Sequence, residues 1–268
     1  DNIPFHTIIW PAMITGYNEG KDASSQLNLP YDVPANEFLS LEGQQFSTSR
    51  NWALWVPDYL ERYQPDPLRY YLSINMPESG DSDFSWSEFV RRNNDELVAT
   101  YGNLVNRVLT FTYKNFDGKI PQPGKIDSLS HELLSQGTMT LNSVAEHLHH
   151  CKFRIAITEA MSLAQAANKY LDQKAPWKSL NSDRIATATS LWVSISIINA
   201  LKIMLYPFIP FSSETLHKML GFDGKIEDYG WHSVEKLEDL RPGQVLAKPN
   251  PLFTKFDDKI VTEETERL

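Results

Sequence analysis

Cysteine is nearly absent from this chain, with Cys151 the sole one in 268 residues. That excludes an internal disulfide and a cysteine-based zinc knuckle, and it fits a reducing, cytoplasmic setting. No basic segment precedes an apolar core at the N-terminus, so a secretory signal is not expected. Asp1 begins inside what reads as a folded motif, and the expectation is a piece of a longer protein. Positive charge is in deficit too: 25 basic against 34 acidic side chains give a net −9, which excludes a generally nucleic-acid-coated surface. The deficit is uneven. Residues 1–85 carry 4 basic and 12 acidic side chains, 86–180 carry 11 and 9, and 181–268 carry 10 and 13. The middle block alone does not repel phosphate on average, although solvated helix faces produce the same asymmetry. An unbroken apolar run of membrane-spanning length is also missing. The richest stretch, from Leu191 to Leu205, is interrupted by Ser194, Ser196, Asn199 and Lys202 and followed by Pro207 and Pro210, so it reads as a buried central helix. There is no internal repeat.

A 41% apolar content supports a real core in one large domain or two smaller ones. The first ~85 residues mix short apolar segments with prolines and turns and read as small α/β structure. They include a helical stretch from Trp52 to Leu60, a short helix starting at Asp66, and a polar connection from Pro77 to Asp83, the expected boundary. Beyond it the pattern is helical. Ser85-Trp86-Ser87-Glu88 has capping-box spacing. Val90, Leu97, Tyr101, Leu104, Val105, Val108 and Thr112 then trace one face of a long helix that Gly118, Pro121 and Pro123 end. A second long helix is predicted from Leu141 to Tyr170, with Val144, Leu148, Cys151, Ile155 and Leu163 inward. A third starts near Ser182. Ser212-Ser213-Glu214 reads as the cap of a short helix ending at Gly221, and the tail from Asp228 reads mostly as loop. The expected fold is mainly α: a small α/β segment over 1–84, then a helix bundle with a C-terminal tail over 85–268.

Five groups of residues are candidates for chemistry. Ser47, Thr48, Ser49 and Arg50 put three hydroxyls and a permanent cation in four residues, which suits polyphosphate oxygens. Such loops also commonly just satisfy their own backbone. Asp1 offers a carboxylate and Phe5, His6 and Trp10 an aromatic set, which otherwise read as a terminal stub with core aromatics. Asn103 and Arg107 neighbour each other on one helix surface and continue with Thr110 and Lys114 into a polar strip beside the buried face. Lys174-Ala175-Pro176-Trp177-Lys178 places a large ring after a proline at a helix end; it is either a core plug or a platform for an unpaired base flanked by cations. His147, His149, His150 and Cys151 form the one metal-like cluster. His147 and Cys151 are four apart, but no second pair exists to close a zinc site, and no metal is expected there.

Asp1-Asn2-Ile3-Pro4-Phe5-His6-Thr7-Ile8-Ile9-Trp10-Pro11-Ala12-Met13, followed by Leu41-Glu42-Gly43 and Gln45-Phe46-Ser47-Thr48-Ser49-Arg50, resembles the second half of a class I aminoacyl-tRNA synthetase active site, and most closely that of methionyl-tRNA synthetases. The hydroxyl turn matches that family's Lys-Met-Ser-Lys-Ser loop in a Phe-Ser-x-Ser-Arg form, with Gln45 and Thr48 where the lysines stand. The resemblance extends to about residue 260. It implies that residues 1–84 are the end of a class I, Rossmann-type catalytic domain and 85–268 an anticodon-binding domain. It further implies that Asp1, Phe46, Ser47, Thr48 and Arg50 meet ATP, with Ser47 to Arg50 acting in catalysis, and that Phe5, His6 and Trp10 wall the methionine pocket. A thioether suits aromatic walls. Gly102-Asn103-Leu104-Val105-Asn106-Arg107 resembles the family's anticodon-reading helix, and Trp177 stands where the family has its stacking tryptophan. The implied activity is ATP-dependent activation of methionine, with Mg2+, and transfer to its tRNA. The implied partners are that tRNA, methionine and ATP, and not a membrane. No His-Ile-Gly-His motif occurs in the sequence, so the polypeptide by itself is expected to be inactive. A non-catalytic tRNA-binding module with a degenerate loop is the competing reading. A purely structural scaffold leaves the aromatic set and the Asn103, Arg107 and Trp177 group unexplained.

Overall fold

The computed structural model of the chain describes residues 2–234, 236–237 and 240–268. The chain forms two compact units, one made of residues 1–38 with Pro77–Asp81, the other of Leu39–Met76 with Ser82–Leu268.

The first unit begins with a helix over residues 2–18, α-helical at Asn2–Pro4, π-helical at Phe5–Ile9 and α-helical at Trp10–Asn18. Among its side chains Ile14 is buried, while most of the rest are exposed. Asn18 ends the helix by clamping a following loop. Its amide nitrogen donates to the Leu27 carbonyl at 2.8 Å, and its oxygen accepts from the Leu27 amide at 2.8 Å.

The second unit opens on a sheet of order β2-β1-β3. Strand β1 (Leu39–Leu41) pairs antiparallel with β2 (Gln44–Gln45) and parallel with β3 (Ser82–Phe84). The two-residue turn Glu42-Gly43 has φ of 48° and 72°. A type I′ hairpin turn demands positive φ at both positions, which strains a non-glycine residue. Glu42 is held there at both ends: its amide donates to the Phe84 carbonyl at 2.8 Å, and its carboxylate accepts the Trp86 amide at 2.7 Å. That second bond replaces the capping box expected at Ser85. Glu88 does not reach back; it pairs with Arg91 at 2.6 Å and with Arg92 at 3.0 Å. Between β2 and β3 lie two helices, Val56–Arg62 and Pro65–Ile74, each with proline in its first turn. The first starts four residues later than expected, because residues 47–52 form a closed turn.

Residues 86–115 form the first long helix, α-helical at Trp86–Arg92, π-helical at Asn93–Gly102 and α-helical at Asn103–Asn115. Its predicted face is buried throughout, from Val90 to Thr112. The rings of Tyr59, Tyr71, Phe84, Trp86 and Phe89 pack edge to face at 5.0–6.1 Å between centroids and fuse the sheet to this helix.

The predicted second helix is two helices. Ser128–His149 and Phe153–Lys174 form an antiparallel hairpin that reverses at Cys151, whose φ is 55°. Val144 and Leu163 are buried as expected, whereas Cys151 is half-buried and Ile155 is exposed. Apolar spacing continues through the reversal, and no glycine or proline marks it. Asp127 closes the open end of the hairpin, accepting the Ser130 amide at 2.9 Å and pairing with Lys174, whose ammonium holds the carboxyl at about 2.

The central helix, Arg184–Leu205, starts on Asp183, which accepts the Ala186 amide at 2.9 Å. It is long and apolar enough to cross a membrane, but its most apolar window is 94% buried in the fold. The next helix is Pro210–Met219, with Ser212 and Ser213 inside it rather than capping it. Its cap comes from far away: Asp66 accepts the Ser212 amide at 2.6 Å and the Phe211 amide at 3.4 Å. Burial pushes the Asp66 carboxyl up against the pull of those amides. The tail is less of a loop than expected. The Lys119 region pairs with Val245, and a helix at Lys259–Thr265 ends the chain.

Lys202 lies within the core, 2% exposed. Its ammonium donates to Asn199 Oδ1 at 2.7 Å, meets His217 Nδ1 at 3.0 Å and stands 4.2 Å over the Phe222 ring. Burial lowers it to about 7 although Glu214 pulls it up. His217, stacked on Phe222 and edge-on to Tyr229, is itself lowered by burial and by Lys202, with Glu214 and Asp228 opposing. An unfolded lysine titrates near ~10.4, so between pH ~7 and ~10 the unfolded chain binds more protons at this site. Stability from this group therefore rises with pH across that window, and the penalty is complete below it. Lys202→Met is expected to stabilise the 268-residue chain at pH 6.5 by ~1–4 kcal/mol. It should also flatten the rise between pH 7 and 9 in denaturant titrations; an unchanged slope would show that the ammonium is hydrated in solution.

Candidate functional site

The hydroxyl turn is built by a backbone clasp. Ser47 and Trp52 exchange two hydrogen bonds, each of 2.9 Å, and the Asn51 amide donates to the Thr48 carbonyl at 3.1 Å. Asn51 takes a left-handed φ of 56°, which asparagine tolerates better than most residues. Two indoles fix the clasp. Trp52 Nε1 donates to the Leu41 carbonyl at 3.0 Å and Trp55 Nε1 to Asn51 Oδ1 at 2.9 Å. The turn's hydroxyls and cation are not used to build the clasp. Ser47 and Ser49 hydroxyls lie 3.3 Å apart, and none of the three hydroxyls bonds the turn's own backbone among the described residues. Thr48 and Arg50 are exposed, and Arg50 has no ion pair there. Phe46 is exposed at the turn's edge. The arrangement presents hydroxyls and one cation on a rigid stem.

Phe5, His6 and Trp10 lie on the helix of the first unit, all exposed, so they are not core aromatics. Phe5 and His6 rings meet edge to face at 5.4 Å, and His6 and Trp10 share a helix surface four residues apart. Asp1 lies outside the described residues.

The second cluster joins three helices. The Phe153–Lys174 helix ends at Ala175, which adopts φ 42°, since the following proline disfavours a helical conformation there. Pro176 opens the short Pro176–Ser179 helix and is buried, while Trp177 is 43% exposed. The ring is therefore not fully enclosed in the core. Arg107 stands 4.9 Å over the Trp177 ring and donates to Asp172 Oδ1 at 2.7 Å. Its plane is therefore fixed from two sides, by cation–π contact and by a charged hydrogen bond. A groove of about 390 Å³ runs beside them, lined by Arg107, Thr110, Phe111, Lys114, Pro176 and Trp177 among others. Asn103 is exposed one turn before Arg107 on the same strip. The structure thus brings Arg107 and Trp177 into contact and leaves Asn103 beside them. Asp172 escaped the reading of the sequence, because its partnership depends on how two helices 65 residues apart pack, and no local signal announces it. The histidine cluster is divided between other partners: His147 faces Glu159 at 3.5 Å and His150 faces Glu146 at 2.8 Å.

Residues 1–109 match the family described as tRNA synthetases class I (M), and residues 120–268 match the anticodon binding domain of methionyl tRNA ligase. The chain belongs to the methionyl-tRNA synthetase family. A methionine–tRNA ligase of Dehalococcoides mccartyi is 53% identical over 268 residues, covering 100% of this chain and 46% of that protein. One from Thermomicrobium roseum is 46% identical over 290 residues, covering 100% of this chain and 49% of that protein. The chain thus spans about half the length of the curated relatives it matches. Mycobacterium tuberculosis methionyl-tRNA synthetase in complex with methionyl-adenylate aligns with TM-score 0.83 and 25% identity over 94% of this chain and 48% of that one. Its apo form aligns with TM-score 0.82 and 24% identity over 96% and 48%, a likeness of fold.

Proposed function

We propose that this chain works as part of a methionine–tRNA ligase, an enzyme that activates methionine with ATP and transfers it to its tRNA. Within it, residues 85–268 recognise the anticodon and residues 1–84 complete the catalytic side. The observation that carries the reading is the exposed Trp177 ring with Arg107 fixed against it. A planar ring and a planar guanidinium on one groove, with the exposed Asn103 amide one turn along the same helix, suit a splayed, unpaired base, which needs a stacking face and partners for its Watson–Crick edge. On the catalytic side, Ser47, Thr48, Ser49 and Arg50 contact the phosphates, Phe46 and Asp1 contact ATP, and Phe5, His6 and Trp10 hold the methionine side chain. Mg2+ enters with the nucleotide's phosphates, its usual mode of binding, and no metal is assigned to this chain. A cytoplasmic location belongs to the same proposal and is supported by the single cysteine. The relatives described above are all methionine–tRNA ligases, which lends no support to a non-catalytic module.

The test is binding of the 268-residue chain to an anticodon stem-loop with each base varied in turn. The CAU loop is expected to bind tightest, with ~1–3 kcal/mol lost per unstacked anticodon base. Equal affinity for all loops would remove the anticodon assignment.

A further inference from the structure

Glu264 belongs to neither cluster, yet it is among the most completely engaged carboxylates of the fold. It sits on the Lys259–Thr265 helix at 3% exposure. Three donors reach it: Arg62 Nε at 2.9 Å, Arg62 Nη2 at 2.7 Å and Tyr63 Oη at 2.9 Å, with Arg267 approaching at 3.6 Å. A bidentate guanidinium–carboxylate pair fixes orientation as well as distance. Buried, it is costly to break from one side, because the remaining charge is stranded.

What it connects matters more than its strength. Arg62 closes the Val56–Arg62 helix, which starts just after Trp55, the residue whose indole holds Asn51 of the hydroxyl turn. On the other side, the tail is fixed to the first long helix. Asn94 gives a hydrogen bond to the Phe256 carbonyl at 2.9 Å and takes one from the Phe256 amide at 2.8 Å, and Asn93 donates to the Thr254 carbonyl at 3.0 Å. Tyr63 also packs edge-on to Phe256 at 5.6 Å. The long helix gripped this way is the one that carries Asn103 and Arg107 further along, 9 and 13 residues beyond Asn94. A chain of directed contacts therefore runs from the anticodon-side helix through the tail to the stem of the hydroxyl turn.

We propose that Glu264 is a positioning residue for the hydroxyl turn. It clamps the helix supporting the turn to the tail, and through the tail to the anticodon-side helix, so that the turn's hydroxyls and Arg50 are held where the phosphates bind. The proposal rests on the reading of that turn as part of the activation site. Glu264→Gln in the full-length enzyme keeps the volume and an acceptor for Tyr63 but removes the charge that binds Arg62. Methionine-dependent pyrophosphate exchange is expected to show kcat lowered by ~10-fold with methionine KM unchanged, the mark of misplacement rather than lost binding. Hydrogen exchange at the Ser47 and Trp52 amides, which close the turn, is expected to quicken, while affinity for the anticodon stem-loop stays the same. Tyr63→Phe, which removes one of the three donors, should shift both readouts in the same direction by less, and it decides the matter if Glu264→Gln does not fold. A folded Glu264→Gln enzyme with normal kcat and normal exchange at Trp52 would overturn the proposal and leave Glu264 a staple for the tail. Arg50→Ala, measured alongside, separates the two ideas. Normal kcat in Arg50→Ala sinks the reading of the turn; a fall in Arg50→Ala with none in Glu264→Gln sinks the clamp alone.

Discussion

Arg50→Ala in the full-length enzyme is expected to lower kcat for methionine activation by ~10²-fold or more while leaving the methionine KM nearly unchanged. The turn holds one cation, since Gln45 and Thr48 occupy the positions where the resembled loop has lysines. That cation is exposed, without an ion pair among the described residues, on a stem fixed by two indoles and a pair of backbone hydrogen bonds. Under the proposed role, a charge held ready in this way would act on negative charge that develops at the phosphates during activation, so its loss would appear in the transition state rather than in substrate affinity. Pyrophosphate exchange over a methionine series measures both constants. An unaltered kcat would mean that the charge is supplied from elsewhere in the enzyme and that the assignment of this turn is wrong.

Trp177→Ala is expected to weaken binding of the cognate CAU stem-loop by ~5- to 150-fold, the range of one lost base–aromatic stack. The substitution is informative because Asp172 keeps its bond to Arg107 when the ring is gone, so the guanidinium stays in place and the ring's own contribution is read. The loss should largely vanish for a stem-loop whose first anticodon base is already wrong, since that stacking energy is not being collected. Lys119→Ala, away from the groove, should weaken all RNAs alike or have no effect. Equal losses for CAU and non-CAU loops would assign Trp177 to general packing of the groove.

Much of this arrangement is legible in the linear chain, where local rules suffice. The buried face from Val90 to Thr112 follows from helical spacing, and the Arg184–Leu205 helix from its apolar composition. The hydroxyl turn is legible as a motif because its chemistry is contiguous in sequence. Three kinds of feature were not legible. The hairpin reversal at Cys151 hides in a continuous apolar pattern, because a left-handed residue of ordinary type leaves no compositional mark. Two helix caps, Glu42 on Trp86 and Asp66 on Ser212, come from residues 44 and 146 positions away, so the serines standing where a cap is expected are not the ones that serve. The tail from Asp228, rich in proline and acid, reads as loop although it carries the helix that holds Glu264.

The sequence by itself determined which side chains are available: a single fixed cation among three hydroxyls, an asparagine and an arginine four apart, and a tryptophan after a proline. Helical periodicity and covalent restriction at proline act over a few residues, and so they can be read without knowing the fold. Only the tertiary structure decided what those side chains face. Packing of the Phe153–Lys174 helix against the first long helix sets Arg107 between Asp172 and Trp177, and docking of the tail sets Glu264 against Arg62 and Tyr63. Those partnerships span 65 to 202 residues, and they exist because buried apolar faces, which are non-directional, bring the helices together. Charge and hydrogen-bond geometry then select the register in which polar groups meet.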